Sequence, residues 1–166
     1  MKNLKYLKLK FICLVLLCSG CTRDDICTPE TSKTPLLIIS FYNAQNPEAR
    51  KTVNAFTIVR EGDEINLISP VSTDSIAIPL YTGADFTNYF FIANANDELP
   101  KSDYISFNYQ RQDEFINRAC AFRTNFRNLE LEIAPPTQQS WIENITIRSD
   151  SINARNQNEA HLYIYH

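Results

Sequence analysis

Along DYISFNY, residues 103–109, apolar and polar side chains change places at every step. Ile105, Phe107 and Tyr109 fall on one side of an extended chain, with Ser106 and Asn108 on the other. A period of two is the signature of a half-buried strand, because successive side chains of a strand point to opposite faces. NLELEIA repeats it, with Leu129, Leu131 and Ile133 set against Glu130 and Glu132. A helix cannot collect such a pattern on one stripe. This constraint governs the rest of the chain.

Further strands are predicted in PLLIISFY, TNYFFIANA, WIENITIRS and HLYIYH, and FTIVREGDEINLI reads as a hairpin turning near Gly62. DSIAIPLY aligns Ile76, Ile78 and Leu80, but Pro79 lacks an N–H for a ladder, so an edge strand or bulge is expected. Cys120 lies in FINRACAF and shares an alternating face with Ile116 and Phe122, which predicts an inward sulfur. The turn signals are NAQNPE, TGAD, NANDELPKSD and APPTQQS. Segment 44–53 has room for one helical turn but no apolar stripe. About nine short strands predict an all-β fold, a single antiparallel β-sandwich rather than a barrel.

The start of the chain reads differently. MKNLKYLKLK carries four lysines and no acid, FICLVLLC is apolar, and Ser19-Gly20 precede Cys21. A basic, then apolar, then small-residue order describes a secretory signal peptide over 1–20. Eight residues of helix cover about 12 Å, far less than the roughly 30 Å hydrocarbon core of a bilayer. LCSGC resembles a bacterial lipobox, which implies acylation of Cys21 as the new N-terminus. In place of the usual Leu three residues ahead stands Cys18, with Leu17 one position further out. TRDD resembles the acidic stretch that directs Bacteroidota lipoproteins to the cell surface. The expected organisation is a signal peptide (1–20), a lipidated Cys21 with its tether (21–34) and the β-sandwich (35–166). The implied location is the outer membrane, on its periplasmic or outer face.

Removing the signal leaves 12 basic against 19 acidic residues, a formal charge of −7. Nucleic acid is thereby excluded as a partner, since phosphate binding needs Lys and Arg to displace counterions. About 130 residues beyond the tether suit one domain, and no repeat of 20–50 residues divides it. Cys27 and Cys120 remain, in a compartment that permits disulfides. Their residues leave three states open: a bonded pair, a buried thiol at Cys120, or an exposed reactive Cys27. Bonding them would close a long loop, worth roughly 4–5 kcal/mol in the chain-entropy treatment.

Chemistry is harder to find. His161 and His166 are an odd number of positions apart and point to opposite faces of a strand, so no joint metal site is expected. HExxH is absent, and the one CxxC spacing, Cys18 to Cys21, is lost when the signal peptide is removed, so no cofactor is implied. Asn94, Asn96, Asp97, Glu98 and Asp103 offer oxygen ligands for calcium, but they lack the glycine and final Glu of an EF-hand and read as a solvated turn. GxSxG, P-loop and GxGxxG are missing, so no enzyme is expected. Nineteen acids leave a carboxylate-pair glycosidase unsupported rather than excluded. Trp141, the lone tryptophan, is the candidate for stacking on a ligand, against the plainer reading of packing. Asp-Ser-Ile occurs at 74–76 and 150–152 and resembles the acceptor of the Bacteroidota O-glycosylation system, which makes Ser75 and Ser151 candidate sites. The plainer reading is a turn at a strand entrance. The sequon at Asn144 has no role in a bacterium.

CTRDDIC, TPLLIISFYN, DSIAIPL, RACAF and HLYIYH together resemble a family of small Bacteroidota lipoproteins carrying a domain of unknown function. The resemblance supports the pairing of Cys27 with Cys120 and supplies no catalytic residue. The leading expectation is a non-enzymatic envelope lipoprotein that binds or scaffolds, held to the membrane by its lipid and in contact with an envelope protein or glycan. A glycan-binding accessory of a surface uptake system comes second, and a glycoside hydrolase third.

Overall fold

The computed structural model describes residues 26–28, 33–63 and 65–166. The expected signal peptide, Cys21 and most of the tether lie outside the described residues. Nine strands run in the order β1 (Leu37–Tyr42), β2 (Val53–Arg60), β3 (Val71–Thr73), β4 (Ser75–Ile78), β5 (Phe86–Ala93), β6 (Lys101–Asn117), β7 (Ala121–Ile133), β8 (Asn144–Ile147) and β9 (Leu162–Tyr165). No helix occurs among the described residues. They form a four-stranded sheet, β4-β1-β9-β8, and a five-stranded sheet, β3-β2-β5-β6-β7. The fold is an all-β sandwich.

Contacts divide the chain into two compact units. The larger joins Lys33–Glu114 with Arg123–His166. Its core takes Leu37, Ile39, Phe41, Leu162 and Ile164 from one sheet, and Phe56, Ile58, Phe91, Ile105, Phe107 and Phe126 from the other. Phe41 meets Phe56 edge-on at 5.1 Å, one of the ring contacts between the two sheets. Each such side chain, fully buried, contributes roughly 1.5–3 kcal/mol relative to an exposed one. The smaller unit joins Phe115–Phe122 with the segment before Lys33, of which Ile26, Cys27 and Thr28 are described.

Several expectations are met. Ile105, Phe107 and Tyr109 are buried at alternate positions of β6, while Asp103, expected in a solvated turn, is instead buried on the same face. β4 is the edge of its sheet and stops at Ile78, directly before Pro79. Others need correction. The turn at Gly62 is present, with φ of 87°, but the chain does not return at once. Leu67 donates to Ile58 O and Thr57 Oγ1 to Ile68 O, so the segment beyond Gly62 is stapled to β2 before β3 begins. One pairing is parallel: Ile39 to Tyr42 of β1 run beside Leu162 to Tyr165 of β9. Segment 44–49 is a run of bends and turns closed by Asn43 N to Ala49 O, with no helical turn.

Candidate functional site

A polar cleft of about 370 Å³ lies within the larger unit, lined by Gln112, Asp113 and Glu114 of β6, Arg123, Asn125, Phe126 and Arg127 of β7, and Ser151, Asn153, Ala154 and Arg155. Its floor is apolar. Phe126 and Ile152 are wholly buried and exchange both backbone hydrogen bonds, 2.9 and 2.8 Å, which fixes the 151–155 segment beside β7. Phe126 also packs edge-on against Tyr109 at 5.0 Å.

Above that floor, Arg123, Asn125 and Arg127 alternate along β7 and share a face. Glu114 Oε2 accepts from Arg123 Nε at 2.9 Å and from Asn125 Nδ2 at 2.9 Å. These donors, Asn125 first and Arg123 second, hold the Glu114 carboxyl below the ordinary carboxylate range. Asp113 Oδ1 accepts the Thr124 hydroxyl at 2.8 Å. Both carboxylates are therefore engaged. Arg127 and Arg155 make no side-chain hydrogen bond or ion pair among the described residues, and the Asn125 Oδ1 is buried without a partner. Three guanidinium groups against two carboxylates give the cleft a positive balance in an acidic chain.

The loop carrying Arg155 is braced by its own side chains. Ser151 N donates to Ser149 Oγ at 3.3 Å, and that hydroxyl donates to Ser151 O at 2.8 Å. Asn156 Nδ2 reaches Ser151 O at 2.6 Å, while its Oδ1 accepts Asn153 N at 3.0 Å. Arg155 N donates to Asn153 Oδ1 at 2.9 Å. Such local side-chain bonds replace a ladder and fix the loop's path. Arg155 is thus presented from a stiff base.

The two Asp-Ser-Ile copies have the same local geometry. At the first, Ser75 N donates to Thr73 Oγ1 and that hydroxyl donates to Ser75 O, as Ser149 does for Ser151. Ser75 is exposed at the start of β4, whereas Ser151 is half-buried at the cleft and its Oγ accepts from Asn153 Nδ2 at 3.4 Å. Trp141 is half-buried. Its ring packs on Phe56 and His166, and its Nε1 donates to Phe91 O at 3.0 Å. The backbone N–H groups of Trp141 and Ile142 both donate to Asp103 Oδ2, at 2.8 and 3.0 Å, so the buried acid of the former loop candidates holds the chain in place.

His161 is wholly buried and its Nδ1 accepts Ile38 N at 2.9 Å, which places the proton on Nε2. Burial holds its pKa below the usual histidine range, and burial does the same to His166. No group of three or more His, Cys, Asp or Glu suited to a metal occurs among the described residues.

Within the smaller unit Cys27 and Cys120 are bonded, with Cα atoms 5.0 Å apart. The expected inward face of Cys120 is corrected here. Residues 118–120 form a turn in which Asn117 Oδ1 accepts from Ala119 N and Cys120 N, so alternation does not run through to Phe122, which is 63% exposed.

Sequence reasoning missed the cleft. Arg123, Asn125 and Arg127 are visible as an alternating polar face in RTNFR, but such a face is usually solvated. The second wall comes from Ser151–Arg155, distant in sequence.

Residues 52–166 match DUF6452, a family of unknown function, and the chain belongs to that family. No curated protein and no solved structure matches it.

Proposed function

We propose that this DUF6452 protein is an exported lipoprotein, acylated at Cys21, whose sandwich binds a ligand bearing a carboxylate, phosphate or sulfate without transforming it. One observation carries the binding reading: Arg127 and Arg155 make no side-chain hydrogen bond or ion pair among the described residues around a braced cleft in an acidic chain. A guanidinium presents its donors as a planar fork that matches such anions. Binding is favoured over hydrolysis by the state of the acids. A general acid needs a raised pKa, and Glu114 is held low by Asn125 and Arg123. Among envelope ligands, an acidic glycan combines the anion with hydroxyls that Asn153 and Gln112 can meet, which keeps the glycan-accessory role as the second reading.

Thermal unfolding of the full chain in glucuronate, sulfate or chloride at equal ionic strength tests the cleft. Glucuronate or sulfate at 100 times its dissociation constant adds about 2.7 kcal/mol, and R127E with R155E removes that gain. Equal melting in all three salts for the native chain would refute the anion reading. The anchor is tested separately by palmitate incorporation, which Cys21→Ala abolishes if the reading holds.

A further inference from the structure

The smaller unit carries a surface that the binding cleft does not use. Phe115 and Phe122 are 57% and 63% exposed and meet edge-on at 5.3 Å. Ile26 is 75% exposed. Among the described residues of this unit the only charged side chain is that of Arg118, which is exposed. Asn117 caps the turn through two backbone N–H groups, and the Cys27–Cys120 bond closes it. The turn is therefore a short, cross-linked structure with large apolar side chains in water. That arrangement costs hydration free energy unless something covers it.

We propose that the 115–122 turn is a membrane-contact element: Phe115, Phe122 and Ile26 enter the lipid interface and Arg118 meets anionic headgroups. This rests on the reading that Cys21 is acylated. Three features select a bilayer. Cys27 follows Cys21 by six residues, so a chain anchored at Cys21 holds Cys27 within about 20 Å of its lipid. Cys120 is bonded to Cys27 and is kept at the same short range. The charge of the turn itself is also complementary. A processed chain of net −7 is repelled by anionic lipid, and residues 115–122 carry one cation, Arg118, and no carboxylate; the acids of this unit, Asp24, Asp25 and Glu30, belong to the tether sequence. Finally, two rings and one isoleucine fall far short of the roughly 800 Å² per partner that a stable protein interface buries. They do suit shallow insertion of about 5–10 Å at the boundary between headgroups and acyl chains. Acyl chains already supply affinity, so this element sets orientation.

The test uses the full lipoprotein carrying Phe122→Trp, reconstituted in phosphatidylethanolamine–phosphatidylglycerol vesicles whose acyl chains are brominated near the headgroup. Native protein, with Trp141 alone, supplies the baseline. Bromide should reduce the added emission by about two-fold or more, the contact quenching expected of a ring at this shallow depth, and leave Trp141 nearly unchanged. Phe115→Trp should behave alike, and thiol titration confirms that the disulfide is intact in both. Protein that floats with vesicles while both introduced tryptophans stay unquenched would overturn the membrane-contact element and leave the anchor standing. A turn that serves a protein partner would give that same result in these protein-free vesicles. Failure to float would overturn the anchor, and the membrane contact with it.

Discussion

The first nine residues of β6 and the five that follow are one continuous strand with opposite purposes. From Lys101 to Tyr109 every second side chain is buried; from Gln110 to Glu114 every side chain is exposed. Polar groups in the first part are fully used inside. Asp103 accepts two backbone N–H groups, and the Tyr109 hydroxyl donates to Tyr81 O at 2.7 Å. In the second part Arg111 turns to Asp85, while Gln112, Asp113 and Glu114 meet β7 at the cleft, where Arg127 and Arg155 make no side-chain hydrogen bond or ion pair among the described residues. A strand that has already supplied its share of the core can extend past it and present side chains on a rigid backbone. The difference separates what folds this protein from what it offers to a ligand.

Replacing Phe107 with Ala tests the first part most severely. Its ring is wholly buried against Tyr89 and Phe91, and a loss of about 3–5 kcal/mol is expected in denaturant unfolding. Gln112→Ala, five positions along the strand, should stay within about 0.5 kcal/mol of the native chain. Similar losses from both would erase the distinction.

Asp103→Ala removes the acceptor of Trp141 N and Ile142 N and should cost about 2–4 kcal/mol, because two backbone donors lose a charged partner. Asp103→Asn keeps one acceptor oxygen and should lose less. Tryptophan emission, which reports Trp141 directly, should shift to the red in the alanine variant before global unfolding.

The contrast reaches the other sheet at the wholly buried His161, where pH provides a gentler probe. Burial lowers its folded pKa, with Glu159 opposing the shift, and burial also lowers that of His166. Below about 6.5 the unfolded chain takes up protons that the native imidazoles still refuse. Stability should therefore fall as pH drops from about 6.5 towards the lowered folded values, by at most about 1.4 kcal/mol per pH unit for each histidine. Thermal unfolding between pH 7.5 and 5.5 measures this, and His161→Gln should flatten the slope. An unchanged melting temperature across that range would contradict the burial of both rings.

How much of this was legible in the sequence depends on the range of the contacts involved. The alternation of Ile105, Phe107 and Tyr109 is local, and it identified a buried face correctly; Asp103, read as part of a solvated turn, joins that face because its carboxylate accepts two backbone N–H groups from a distant segment. Pro79 is local too, and it marked an edge. Phe126 and Leu129 both reach the core although an odd separation should set them on opposite faces. The reason is Asn128, at φ of 52°, an irregularity that resets the alternation within β7. Nothing in RTNFRNLELEI announces it. The parallel β1–β9 pair was illegible for another reason: the strands come from opposite ends of the fold, and neither pattern favours a parallel neighbour. The bonded cysteines were one of three states open to their residues, and proximity decides between them. The cleft needed Phe126 and Ile152 to bridge before its arginines had any common site.

The most direct test of the binding account is the NMR spectrum of the arginine side chains in the full protein during titration with glucuronate and sulfate. The Nε–Hε signals of Arg127 and Arg155 should shift together along a saturable curve, while that of Arg111, paired with Asp85 at 2.7 Å outside the cleft, remains still. Signals that drift equally for all arginines, or not at all, would show that the cleft holds no anion and would contradict the account.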